Sequence, residues 1–246
     1  MIRIEGLTKQ FGDRSVLRGI DLQCADGSTT VILGGSGAGK SVLMKHVVGL
    51  LMPDAGSVEV DGVCIESSDR HQLAELRARM GMVFQQSALF DSMNVFDNVA
   101  FPIVEAARER IDETELRRRV HEALELFDLR DVDDLLPSEL SGGMRKRVGL
   151  ARAVIRQPKI LLYDEPTTGL DPVTTRQVDE MILTARRELG VTSLVISHDI
   201  ASSFRIADQV AFLHEGKILI SGTPDEVQTC DIPELREFLA SWRKEV

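Results

Sequence analysis

Gly34-Gly35-Ser36-Gly37-Ala38-Gly39-Lys40-Ser41 follows an apolar strand-like run, residues 28–33, and opens a helical pattern over residues 41–51 that Pro53 stops. Strand, glycine-rich turn and helix, in that order, are the setting that the pattern GxxxxGK[ST] requires. Glycines let the backbone close on a polyphosphate, so that several N–H groups and the helix start, through Val42, face it. Lys40 is then placed to neutralise the β and γ phosphates of a nucleoside triphosphate, and Ser41 to ligate Mg²⁺.

A phosphate loop needs an acidic partner for the metal. Ile160-Leu161-Leu162-Tyr163-Asp164-Glu165 supplies one, an apolar strand delivering two carboxylates at its carboxyl end, where α/β sheets bind ligands. Asp164 is expected to hold Mg²⁺ directly or through water, and Glu165 to reach the position of an attacking water. Leu140-Ser141-Gly142-Gly143-Met144 heads a long basic helix, residues 145–156, and puts a hydroxyl and two glycines at a second anion-binding helix start. One nucleotide hardly needs two such ends from the same chain, which points to two copies sharing two nucleotides.

Around these motifs the patterning predicts strands at 1–7, 16–23 and 56–62, a short helix marked by Leu73, Leu76 and Met80, and a strand at 81–84. Residues 87–156 read as helical throughout, with Leu116, Val120, Leu124 and Phe127 at near-helical spacing, and so as an inserted helical lobe. Residues 160–162 and 193–196 flank a helix as buried parallel strands do. A hairpin, 210–213 with 217–221, turns at Glu215-Gly216, and one last helix opens at Thr223-Pro224-Asp225-Glu226 with a capping box. In that tail Leu235, Phe238, Leu239 and Trp242 share an apolar face, which either packs on its own domain, the favoured reading, or meets a partner.

Composition sets the outer limits. At 246 residues the chain suits one elaborated α/β domain. Its longest apolar run, 47–52, is far short of the roughly eighteen residues that cross a membrane. The opening MIRIEGLTKQFG shows neither a signal-peptide core nor a transit pattern, so a cytoplasmic address is expected. Cys24, Cys64 and Cys230 have no CxxC spacing and read as packed thiols. A net charge of −10 disfavours broad nucleic-acid binding, and no nucleic-acid partner is expected.

With LSGG intact and its motifs in order over essentially the whole length, the chain resembles the ABC transporter ATPases. The resemblance implies a P-loop (RecA-like) α/β core with a mainly parallel sheet, an N-terminal antiparallel β-subdomain and an inserted α-helical subdomain. It places the core at 1–86 and 157–222, the helical subdomain at 87–156 and a helical tail at 223–246. It implies ATP and Mg²⁺ as ligands, and a homodimer in which Ser141, Gly142 and Gly143 of one copy close on the γ-phosphate held by the other. Phe11 resembles the aromatic that stacks on adenine. Gln85 resembles the glutamine that touches Mg²⁺ and the attacking water, Asp171 the acid of the loop crossing the dimer seam, and His198 the histidine that contacts the γ-phosphate. After LSGG many relatives continue with glutamines, whereas this chain reads Met144-Arg145-Lys146-Arg147-Val148-Gly149-Leu150-Ala151-Arg152-Ala153. That stretch, with residues 81–95, is similar to the ATPase subunit of Mla-type lipid transporters. The similarity implies a membrane permease, an MCE-type lipid-binding protein and a STAS-domain subunit, with the chain on the cytoplasmic face of the inner membrane. Alternatives are an importer ATPase for another small solute and, less favoured, a soluble non-transport ABC ATPase.

Overall fold

The computed structural model describes residues 1–106 and 111–243. In chain order its elements are β1 (Ile2–Phe11), β2 (Arg14–Cys24), β3 (Thr29–Leu33), α1 (Lys40–Val47), β4 (Ala55–Val60), β5 (Val63–Cys64), α2 (Arg70–Ala78), β6 (Met80–Val83), α3 (Val95–Ala106), α4 (Glu113–Glu125), α5 (Gly142–Val154), β7 (Ile160–Asp164), α6 (Pro172–Leu189), β8 (Thr192–Ser197), α7 (Ile200–Ile206), β9 (Gln209–His214), β10 (Lys217–Gly222), α8 (Pro224–Thr229) and α9 (Pro233–Arg243). They fall into two units, Met1–Arg77 with Thr192–Val246, and Ala78–Val191.

In the first unit β1 is the spine of an antiparallel sheet of order β2-β1-β4-β5. Ile2, Ile4 and Leu7 of β1 and Leu17, Ile20 and Leu22 of β2 point into the core, the alternation of a sheet with one buried face. A bulge after Ile4 interrupts the register. Gly56 of β4 sits against it at φ 84°, where an added Cβ would lie 2.4 Å from the carbonyl oxygens of Glu5 and Gly6, so only glycine lets the strands meet there.

β3 is buried along its whole length, with β8 and β9 as parallel neighbours and β10 antiparallel to β9. Beside it Leu33, Ile200, Val210, Phe212, Val227 and Leu235 form one apolar cluster, and Phe204, Phe238 and Leu239 pack on it. The rings of Phe212 and Phe238 lie 5.3 Å apart. The apolar face of the tail therefore turns into its own unit; the side chain of Trp242 lies outside the described residues. Where the sequence predicts one last helix there are two. The capping box is present, with Thr223 N donating to Glu226 Oε2 at 2.8 Å, but Cys230 leaves α8 in an extended conformation and Pro233 starts α9. Proline disfavours helix at the residue before it, which explains the break.

In the second unit β6 and β7 are parallel. Met80, expected to close the preceding helix, is instead the first residue of β6 and pairs with Ile160. Gly81 admits α5 against β6, since a Cβ there would lie 2.3 Å from the Ala153 carbonyl oxygen. Residues 87–94 are not helical. The buried Asn98 organises that turn, accepting from Phe90 N at 2.8 Å and donating to the carbonyls of Phe90, Met93 and Asn94. α4 is capped by Asp112, which accepts from Glu115 N at 3.1 Å. Its outer face carries exposed ion pairs, among them Glu113–Arg117 and Arg118–Glu122, which add little stability in water. Its inner stripe, Val120, Ala123 and Leu124, is buried with Phe127, and that burial holds the helix. Among the described residues no helix is long and apolar enough to cross a membrane.

Leu235 is fully buried under the tail, so Leu235→Ala should leave a cavity and cost about 2–5 kcal/mol, read as a lowered midpoint of urea unfolding. An unchanged midpoint would mean that this face does not belong to the core.

Candidate functional site

The loop between β3 and α1 is built from backbone constraints. Gly34 lies so close to β9 that a Cβ would stand 2.3 Å from the Leu213 carbonyl oxygen. Gly39 takes φ 112° directly before α1, and a Cβ there would lie 2.9 Å from Leu17 Cδ2. Lys40, 5% exposed, curls back to donate from Nζ to Gly34 O at 2.8 Å and Gly35 O at 3.1 Å. Its ammonium is thereby fixed within the loop. Ser41 is exposed, and the first turn of α1 contains no acidic side chain, so the partial positive charge of the helix start stays open to an anion.

Two neighbours complete this half. The register Leu33↔Ser197 puts Gly34 and His198 at the same edge of the sheet. His198 is exposed, and Asp199 secures its turn by capping α7, accepting from Ser202 N at 3.0 Å. On the other side the tip of the β9–β10 hairpin braces the loop: Gly216 N donates to Ala38 O at 3.2 Å while Arg18 N donates to Gly216 O at 2.8 Å. Glu215 and Gly216 both have positive φ, and a Cβ on Gly216 would meet the Val16 carbonyl oxygen at 2.3 Å. A cavity of about 580 Å³ opens here, lined in part by Arg14, Val16, Gly37 and Gly216. Phe11, paired with Arg14 across the end of the β1–β2 hairpin, keeps 47% of its surface exposed.

In the second unit the pairing of Val83 with Tyr163 brings Gln85 and Asp164-Glu165 out at one edge. Glu165 has φ 47°, the left-handed region that a side chain enters at a cost of roughly 1–2 kcal/mol. Its Oε2 accepts from the Thr168 hydroxyl at 2.9 Å. Ser141 caps α5, its Oγ accepting from Met144 N at 3.2 Å, and again no acidic side chain occupies the first turn. Gly142 and Gly143 differ from the glycines above. Nothing lies closer than 4.0 Å to a Cβ on Gly142, and one on Gly143 would make only an ordinary 3.6 Å contact with Gln177. Their own chain does not require them, and glycine costs a helix about 1 kcal/mol relative to alanine. Asp171 caps α6, accepting from Val173 N at 2.9 Å and Thr174 N at 3.1 Å, and the Thr174 hydroxyl holds its carboxyl below the usual range.

Residues that sequence patterning passes over also hold this half together. Lys146 is buried and donates from Nζ to the carbonyls of Gln85 and Pro166. Arg152 donates to those of Ser87 and Ala88. Both look like ordinary members of a basic helix in the sequence, because backbone acceptors leave no mark on residue identity. For a metal, the candidate donors Ser41, Gln85 and Asp164 all offer oxygen. No group of three or more His, Cys, Asp or Glu suited to a metal exists among the described residues. Each is a hard oxygen donor of the kind that Mg²⁺ takes beside its waters and substrate phosphates.

A family model for ABC transporters matches residues 17–168. The chain is 40% identical over 239 residues to the intermembrane phospholipid transport system ATP-binding protein MlaF of Haemophilus influenzae, covering 97% of this chain and 90% of that protein. It is 39% identical over 238 residues to the "Probable ribonucleotide transport ATP-binding protein mkl" of Mycobacterium leprae, covering 97% of this chain and 68% of that protein. In Mycobacterium tuberculosis the corresponding share of the relative is 66%, just under two thirds of its length. Among solved structures it resembles the dimeric post-hydrolysis state of the ATP-binding cassette MJ0796 bound to ADP and Pi. There the TM-score is 0.80 and the identity 29%, over 91% of this chain and 99% of that one. A phosphate loop on a parallel strand, a carboxylate pair on another and a glycine-led second helix start thus coincide with sequence kinship along nearly the whole chain, and the protein belongs to the ABC transporter family as its ATP-hydrolysing subunit.

Proposed function

We propose that the chain works as a homodimer that sandwiches two Mg-ATP between two copies and drives lipid movement through a membrane permease. The observation that carries this reading is the pair Gly142 and Gly143. They leave the start of α5 bare without any need from their own chain, as a surface must be where another molecule's phosphate closes on it. The dimeric cassette MJ0796 supports the pairing.

Within that reading Lys40 and the loop N–H groups hold the β and γ phosphates, and Phe11 offers its exposed ring to the adenine. Ser41, Asp164 and Gln85 would hold Mg²⁺, which supplies charge neutralisation at the transferred phosphoryl group. Glu165 accepts a proton from the attacking water, while Gln85 and His198 orient it. Ser141 and Gly143 complete the site of the partner copy, and Asp171 fixes the start of α6 beside the seam.

The phospholipid in the name of the MlaF relative supports a lipid as cargo, and with it a permease, an MCE-type protein, a STAS-domain subunit and a place on the cytoplasmic face of the inner membrane. A groove of about 410 Å³, lined in part by Met82, Phe84, Ala88, Phe90 and Phe101, gives the permease an apolar seat. The mycobacterial name points to a different solute, ribonucleotide. Purification of the tagged chain from detergent-solubilised membranes separates the two: a lipid-transport permease is the expected companion, and a permease for another solute would refute lipid cargo.

Glu165→Gln should preserve ATP binding, lower turnover by at least about 100-fold and give an ATP-dependent dimer on size-exclusion chromatography; steady hydrolysis at the wild-type rate would remove Glu165 from its role. Lys40→Ala should weaken Mg-ATP binding by at least about tenfold, close to 1.4 kcal/mol, in an equilibrium titration. Unchanged affinity would show that the loop does not hold the phosphates.

A further inference from the structure

Lys146, Gly149 and Arg152 recur every third residue along α5 and so share an arc of about 120° on the helix. All three meet the loop that follows β6. Arg152 donates to Ser87 O at 2.7 Å and Ala88 O at 2.8 Å. Gly149 leaves room for Ser87, whose Cβ would stand 3.1 Å from a Cβ on that glycine. Ser87 and Ala88 have φ of 62° and 46°, a conformation that side chains keep only when their surroundings enforce it. Lys146 alone reaches beyond this loop: its Nζ donates both to Gln85 O and, at 3.0 Å, to Pro166 O, the carbonyl just after Glu165.

This lysine is costly. It is 7% exposed, its partners among the described residues are two neutral carbonyls, and burial pulls its ammonium below the ordinary lysine range. A methionine of similar length would fill the same space without desolvating a charge. Packing therefore does not account for the residue, whereas a two-pronged donor does.

We propose that Lys146 is a positioning residue for ATP hydrolysis: one ammonium grips the carbonyls of Gln85 and Pro166, setting Gln85 and Glu165 in register with each other and with Ser141 on the same helix. The proposal rests on the roles given above to Gln85 and Glu165. In this role Lys146 acts through those two backbone segments, whose carbonyls accept from its ammonium. Neither of its acceptors belongs to the phosphate loop, so its removal is expected to separate turnover from binding.

The test uses the full chain with Lys146→Met and Lys146→Gln, measuring kcat, equilibrium ATP affinity, thermal midpoint and amide hydrogen exchange of residues 85–88 and 165–168 without nucleotide. Lys146→Met should lower kcat at least about tenfold, leave ATP affinity within about threefold, and speed exchange in both segments together. Lys146→Gln, whose amide N–H₂ can still serve both carbonyls, should keep roughly a fifth to a half of wild-type kcat. A Met variant with kcat within about twofold of wild type, or with only one segment loosened, overturns the proposal, as does a Gln variant no better than Met at equal thermal midpoint. If Lys146→Met does not fold, Lys146→Gln decides alone: a two- to fivefold drop with both segments loosened supports the grip, and unchanged exchange refutes it. A hydrolysing Glu165→Gln chain sinks the underlying roles instead, while an inactive one beside a fully active Lys146→Met sinks this inference only.

Discussion

Among the described residues two helices, α1 and α5, carry a carboxylate neither at the cap nor in the first turn, and the uncompensated amide ends that result are the constraint around which the sequence is arranged. Elsewhere the chain neutralises its helix starts. α4 has Asp112 with Glu113 and Glu115, α8 has Asp225 and Glu226, and α6 and α7 are capped by Asp171 and Asp199. Four buried or open N–H groups at a helix start must be satisfied by something, so leaving two of them to glycine and serine in a chain with net charge −10 reserves those ends for an anion from outside. The surplus of acidic residues makes the omission more telling, because a carboxylate was the common choice everywhere else.

Rigid backbone contacts keep those ends in place. Gly34 is pressed on Leu213, Gly216 on Val16, and Gly81 on Ala153, so each loop inherits its position from a strand with little freedom to drift. The surrounding core is ordinary, with aliphatic strands, a Phe212-centred cluster and helices held by one apolar stripe. Exposed ion pairs on α4 decorate the surface and contribute little to holding the fold. Stability and ligand readiness are thus assigned to different parts of the chain, the first to side-chain burial and the second to main-chain geometry.

That division explains what the sequence discloses. The phosphate loop, the acidic strand end and the LSGG helix start are legible because their chemistry needs particular side chains or glycines at fixed spacing. Strands β3, β7 and β8 are legible as unbroken apolar runs, and the Thr223 capping box as a short motif. Met80 is misplaced by patterning because an apolar residue between a helix and a strand fits either periodicity. The break between α8 and α9 turns on Pro233, which also reads as a permissible first-turn residue. Lys146, Arg152 and the brace at Gly216 are illegible because their partners are carbonyls or N–H groups, which every residue type carries alike.

Glu165 stands in the left-handed region, where its carboxylate accepts from the Thr168 hydroxyl. Glycine would occupy the same backbone with less strain, so natural drift under selection for robustness alone would erode this position. A glutamate here therefore costs the fold backbone strain, and a heat-hardened descendant of this chain obtained without selection for turnover would be expected to surrender it early.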